Sequence, residues 1–216
     1  MNADERRFGL SSSASIGVHR RLIPPLLFYV TGLRGISRVA EAFAAGVDFV
    51  QLRAKDFSGA ELFRLAGAVK GYGKLLVNDR LDVALASGAA GVHLPSNRPP
   101  VTEYRQIVPP GFIISVACHS AEDVERAARE GADYALLAPI FDTPGKGPGI
   151  GLAVLKDAAR AEIPVIALGG VTIENAASCI AAGASGIAAI RLFEEAREIS
   201  SVTPLCRFPR VPDPSR

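Results

Sequence analysis

The chain has 216 residues, 49% of them hydrophobic, which is enough for one sizeable core, and its 24 basic and 22 acidic residues leave a net charge of only +2. A field that weak argues against nucleic-acid binding by bulk electrostatics, so any anion is expected to be held at a point. Three cysteines, Cys118, Cys179 and Cys206, show neither the even count of a disulfide framework nor metal-ligand spacing, and no apolar stretch reaches the roughly 18–20 residues of a membrane span. A reducing, cytoplasmic home is expected.

Residues 1–24, with SSSAS inside, lack the apolar core of a signal peptide and are expected to form a disordered or loosely held extension. From Leu26 the chain alternates. Apolar runs LLFYVT, KLLVN, FIISVA and PVIAL begin at Leu26, Lys74, Phe112 and Pro164. Between them a single pattern recurs, a small-residue helix end, a glycine, then an apolar strand: AAGVDFVQL at Gly46, ASGAAGVHL at Gly88, REGADYALL at Gly131 and AAGASGIAAI at Gly183. Glycine at those places suits the left-handed residue that stops a helix. Ser58 with Glu61 forms a capping box, and Ser120 and Thr172 stand before alanine-rich amphipathic runs. Eight strand-helix units predict an α/β fold, a single (β/α)8 TIM barrel over 25–200, with an open doubly wound sheet as the alternative. The end of the chain has four prolines between Thr203 and Arg216, so 201–216 is expected to be an irregular tail.

In a parallel barrel the working face lies at the carboxyl ends of the strands. There the second strand places Gln51, Arg53 and Lys55, spaced two apart and so on one strand face, and two cations on a buried face require an anion. The third runs into Asn78, Asp79 and Arg80, and the fourth carries His93 and leads to Arg98. Cys118 and His119 follow the fifth strand. The sixth opens a glycine- and proline-rich loop with Thr143 and Lys146, the seventh ends in Gly169-Gly170, and the eighth in Ile190-Arg191. Arg53, Lys55 and Lys146 suit a diphosphate, and Gly169-Gly170 before a helix can present N–H groups to a phosphate. Asp79 can hold a divalent cation. Structural roles compete with each of these: ion pairs of Arg53 or Lys55 with Asp48, Asp56 or Asp79, a helix-capping Asp79, a hydrogen-bonded core His93, and a GG pair that only turns the chain.

The series QLRAKD, LLVNDRLDVAL, GVHL, GADYALLAPIFDTPGK and IPVIALGG followed by GIAAI resembles the thiamine-phosphate synthase/TenI family, from Leu26 to Phe193. The resemblance implies a (β/α)8 barrel and a transferase of thiamine biosynthesis that joins hydroxymethylpyrimidine diphosphate to a thiazole phosphate, releasing diphosphate with Mg²⁺. By position, Gln51, Arg53, Lys55, Asn78 and Lys146 are implied to meet the pyrimidine diphosphate and Asp79 its Mg²⁺. Thr143, Gly169, Gly170 and the backbone at Ile190 and Arg191 are implied to meet the thiazole phosphate or help close the site. The chain departs from the synthases at Arg98, where a second Mg²⁺ carboxylate usually stands, and at Ala117, Gly145 and Arg191. Its HLPS segment is similar to TenI-type thiazole tautomerases, isomerases without a metal in which His119 is implied to transfer the proton. A noncatalytic barrel that binds a phosphate ligand is a third reading. Small phosphorylated substrates are the expected partners in the first two, without nucleic acid or membrane, and a homo-oligomer is left open.

Overall fold

A computed structural model describes residues 24–206 apart from Pro144 and Lys146. Eight parallel strands close on themselves in sequence order: β1 (Leu26–Thr31), β2 (Phe49–Leu52), β3 (Lys74–Asn78), β4 (Gly91–Leu94), β5 (Ile113–Cys118), β6 (Tyr134–Leu137), β7 (Val165–Leu168) and β8 (Gly186–Ala189). Leu26 to Tyr29 of β1 pair with Gly186 to Ala189 of β8, which completes the barrel. Around it lie α1 (Val39–Ala44), α2 (Gly59–Val69), α3 (Leu81–Ser87), α4 (Val101–Arg105), α5 (Ala121–Arg129), α6 (Gly151–Ala158), α7 (Ile173–Ala181), α8 (Arg191–Glu194) and α9 (Ile199–Cys206). The predicted (β/α)8 barrel is the fold.

The recurring glycines end their helices by one shared geometry. Gly46, Gly88, Gly131 and Gly183 have φ of 92°, 70°, 84° and 101°. The N–H after each donates to a carbonyl five residues back, Val47 to Ala42, Ala89 to Ala84, Ala132 to Ala127 and Ala184 to Cys179. That is the bond of a Schellman stop, and it turns the chain straight into β2, β4, β6 or β8. At the other helix ends, Ser58 Oγ accepts the Glu61 N–H, and Ser120 Oγ accepts the Asp123 N–H.

Alternation along the strands makes two apolar layers. Leu27 and Tyr29 face the helices, while Phe28, Val30, Phe49, Leu76, Leu136, Ile166 and Ala188 fill the barrel. At the amino ends of the strands Phe28 stacks on Phe49 with centroids 4.4 Å apart, and Tyr134 meets the two rings edge-on at 5.5 and 5.1 Å. This aromatic plug closes the barrel below. The carboxyl end is left to polar side chains.

Two expectations change. The extension assigned to 1–24 lies outside the described residues except for Pro24, but the segment expected to be irregular from 201 is helical as far as Cys206. Val202, Thr203 and Cys206 are buried there, and Thr203 Oγ1 donates to Ala45 O at 2.7 Å, so packing outweighs the helix-breaking cost of Pro204. The second is the shared face of Gln51, Arg53 and Lys55. β2 ends at Leu52; the Arg53 N–H still donates to Thr31 O, but Lys55 sits exposed in a turn and does not continue the alternation.

Candidate active site

Interior positions on β2 to β5 carry polar side chains in two hydrogen-bonded pairs. Gln51 Nε2 donates to Asn78 Oδ1 at 3.1 Å, while Gln51 Oε1 is buried with no hydrogen-bond partner. His93 Nδ1 lies 2.9 Å from Ser115 Oγ. Burial, and after it the Arg53 charge, push the His93 pKa down to about 3, so the ring is neutral at any working pH. His93 is the hydrogen-bonded core histidine that its apolar strand suggested.

Arg53 is half-buried and Lys55 exposed; among the described residues neither forms an ion pair, so the structural pairing with Asp48, Asp56 or Asp79 is absent there. Asp48 serves the other end of the barrel, where its Oδ2 accepts the Leu27 N–H. Asp79 does not cap a helix either, because α3 begins at Leu81 with Arg80 as its preceding residue. Its φ is 61°, a left-handed conformation that costs a non-glycine residue about 1 kcal/mol, and its N–H donates to His93 O at 2.8 Å. The exposed Asp79 carboxylate accepts no hydrogen bond among the described residues. Strained backbone of this kind collects at functional sites.

The opposite rim is built from glycine. Gly169 and Gly170 have φ of 93° and 64°, and a Cβ on either would come within 2.7 Å of Pro139 Cα or Phe141 Cβ, so the pair serves packing as well as turning. Ile140 and Phe141 donate N–H groups to Leu168 O and Gly169 O, which carries the β6–β7 pairing into the loop. Asn175 clasps the entry to α7, taking the Thr172 N–H on Oδ1 and giving Nδ2 to Gly170 O. Reasoning from sequence missed Asn175, although T-x-x-N before a helix carries the signal. In the glycine-rich stretch after β6, Thr143 Oγ1 donates to Phe141 O, and Asp142 Oδ1 accepts the Gly149 N–H, pinning the loop at its base. Lys146 lies outside the described residues. Ile190, 40% exposed, and Arg191, at the start of α8, complete the mouth at β8.

His119 stands apart. Its Nδ1 donates to Ala138 O at 2.7 Å, which fixes the ring with Nε2 turned elsewhere, and its N–H donates to Asp123 Oδ2. It borders a groove of about 530 Å³ between α5 and α6, with Glu122, Lys156 and Arg160, that shares no residue with the Gln51, Arg53 and Asn78 set.

The profile of the family described as thiamine monophosphate synthase (TMP-TENI) matches residues 29–193. The chain belongs to that family. A thiamine-phosphate synthase of Methanoculleus marisnigri is 50% identical over 158 residues, covering 69% of this chain and 75% of that protein. A putative thiamine-phosphate synthase 2 of Aquifex aeolicus is 40% identical over 184 residues, 79% of this chain and 98% of that protein. Among solved structures, thiamine phosphate pyrophosphorylase from Pyrococcus furiosus superposes with a TM-score of 0.76 at 29% identity, covering 84% of this chain and 93% of that one.

Against the thiamine monophosphate synthase family two details of this barrel stand out. Among the described residues no group of three or more His, Cys, Asp or Glu gathers to cage a metal. Asp79 is a lone, unbonded carboxylate at the mouth, a donor that fits Mg²⁺ of the kind held by one protein oxygen, waters and substrate phosphates. Arg98 does not pair with Asp79. Its Nη1 pairs with Glu130 Oε2 at 2.6 Å and with Pro99 O at 2.8 Å, its side chain is 3% exposed, and Nε has no partner. Burial alone would raise the Glu130 carboxyl, but the Val101 N–H and the Arg98 guanidinium bring it below the ordinary carboxylate range. No helix among the described residues is long and apolar enough to cross a membrane.

Proposed function

We propose that this protein couples hydroxymethylpyrimidine diphosphate to a thiazole phosphate, giving thiamine phosphate and diphosphate. The observation that carries the reading is the joint presence of a buried Gln51 Oε1 with no hydrogen-bond partner and a half-buried Arg53, just past the end of the same strand, that forms no ion pair among the described residues. A buried acceptor asks for a donor, which the exocyclic amino group of an aminopyrimidine supplies, and an unpaired guanidinium asks for a phosphate. The names of the relatives in Methanoculleus marisnigri and Aquifex aeolicus support the same chemistry.

In this reading Gln51 and Asn78 orient the pyrimidine, and Arg53, Lys55 and Lys146 grip its diphosphate. As the C–O bond to diphosphate breaks, negative charge grows on the leaving oxygens and positive charge on the pyrimidine methylene. Cationic donors already in place stabilise the former without reorganisation. The thiazole nitrogen then forms the new C–N bond, and no protein nucleophile takes part. Asp79 would hold Mg²⁺, which when bound would supply further neutralisation of the leaving group. Thr143, Gly169, Gly170 and the backbone of Ile190 and Arg191 receive the thiazole phosphate. Arg98, bound to Glu130, leaves Asp79 free for its metal. Cys118, Cys179 and Cys206 are buried thiols pushed up to about 12, 11 and 11 by burial, inert groups that suit a cytoplasmic enzyme.

One observation favours a second reading, a thiazole tautomerase: the Ala138 carbonyl fixes His119 with Nε2 unbonded among the described residues, as a proton carrier requires. Purified protein supplied with both substrates and Mg²⁺ separates the two. Thiamine phosphate is the expected product; none, under conditions where a control synthase works, defeats the coupling function. Isomerisation of the thiazole carboxylate phosphate that is lost in His119→Ala would establish the tautomerase, and saturable binding without turnover would mark a noncatalytic barrel.

A further inference from the structure

β1 and β8 come from opposite ends of the described chain, and the seam where they meet is fastened on its outer side by one guanidinium. Arg38 ends the short 3-10 helix Ile36–Arg38. Its Nη1 donates to the carbonyls of Phe193, Glu194 and Ala196 at 2.7, 3.0 and 2.7 Å. Its Nε and Nη2 hold the two oxygens of Glu41 at 3.0 and 2.9 Å, and Glu41 Oε1 accepts the Ile199 N–H at 2.7 Å. The Arg38 guanidinium, and then the Ile199 N–H, keep the Glu41 carboxyl below its ordinary range.

α8 is four residues long, too short to satisfy its last carbonyls internally, so Arg38 supplies its C-terminal cap. Thr31 Oγ1 adds a bond to Glu194 Oε1 at 3.2 Å. Gly35 makes the fit tight, because a Cβ there would overlap the Tyr29 hydroxyl and Thr31 Oγ1. The same short helix leads directly from Ile190 at the carboxyl end of β8, so whatever orients α8 also orients the backbone at that part of the mouth.

We propose that Arg38 is a positioning residue for the second substrate: by capping α8 it holds the Ile190–Arg191 backbone where the thiazole phosphate docks. This rests on the coupling function proposed above. α9 has its own tie, Thr203 Oγ1 to Ala45 O, which does not touch α8 and separates local positioning from general support of the C-terminal segment.

Coupling kinetics varied in each substrate in turn test the role. Arg38→Ala should raise KM for the thiazole phosphate about tenfold or more, while KM for the pyrimidine diphosphate stays within about twofold. Arg38→Lys keeps a charge opposite Glu41 without the planar fork and should fall between; it carries the comparison if Arg38→Ala does not fold. Thr203→Val, the structural control, should leave both KM values unchanged. Equal rises in both KM values, a fall in kcat alone, or a Thr203→Val that matches the Arg38 variants overturns the assignment. If the wild-type protein makes no thiamine phosphate, the coupling function has failed, and calorimetric titration of the thiazole phosphate decides the positioning role: weaker binding in Arg38→Ala sustains it and equal binding removes it.

Discussion

Gln51 Nε2 donates to Asn78 Oδ1 across 3.1 Å, and that bond leaves the other end of the same amide, Oε1, buried and partnerless. An unsatisfied buried acceptor costs about 1–3 kcal/mol of stability. Gln51→Met removes the unsatisfied acceptor at similar volume but also the bond to Asn78, and the two effects offset, so its Tm should stay close to wild type while KM for the pyrimidine diphosphate rises about tenfold or more. A thermal melt beside steady-state kinetics checks both. A lower Tm with unchanged KM would make Gln51 structural.

Among the described residues Arg53 pairs with no carboxylate, so in the proposed coupling reaction its charge is available to the departing diphosphate. Arg53→Ala should lower kcat/KM by about a hundredfold or more, with Arg53→Lys intermediate because it keeps charge but not the bidentate fork. The same alanine variant should raise the His93 pKa, since the Arg53 charge is one of the two causes that depress it, and burial should still hold it low. Imidazole NMR titration reads this independently of turnover.

His93 also sets an acid limit on stability. Its folded pKa of about 3 lies below the ordinary 6.5, so between those values the unfolded chain binds a proton that the folded one does not. Stability from this group is complete above pH 6.5 and is lost as pH falls toward 3. Between pH 7 and pH 4 the wild type should lose about 3 kcal/mol more than His93→Gln in urea unfolding. Parallel losses would place the acid sensitivity elsewhere.

The Arg98–Glu130 pair is buried, and removing one partner strands the other. Glu130→Ala should cost about 3–5 kcal/mol, whereas Arg98→Met, which leaves a better-solvated carboxylate and fills the space, should cost far less. Denaturant midpoints at equal m-values compare them. Similar losses from the two substitutions would show that packing rather than charge holds this junction.

The strands were legible because two local signals agreed at every even-numbered one: a glycine able to adopt positive φ, then an apolar run. The alternation expected over Gln51, Arg53 and Lys55 stops where the chain leaves β2 at Leu52, since strand alternation has no force in the turn that carries Lys55. Pro204 misled in the opposite direction, a breaker overruled by buried Val202, Thr203 and Cys206. Residues whose partners are distant in the chain gave no signal. Arg98 finds Glu130 32 residues on, and Arg38 finds carbonyls 155 to 158 residues on, separations across which spacing says nothing.

The stack of Phe28, Phe49 and Tyr134 fills the barrel at the amino ends of its strands and leaves the carboxyl end as the approach. In the proposed coupling reaction the pyrimidine that rests deepest, against Gln51, has to arrive before the thiazole phosphate that settles at the rim, and cannot depart until the rim clears. A queue is thereby imposed on traffic through the protein by its floor, far from any group that touches a reacting bond.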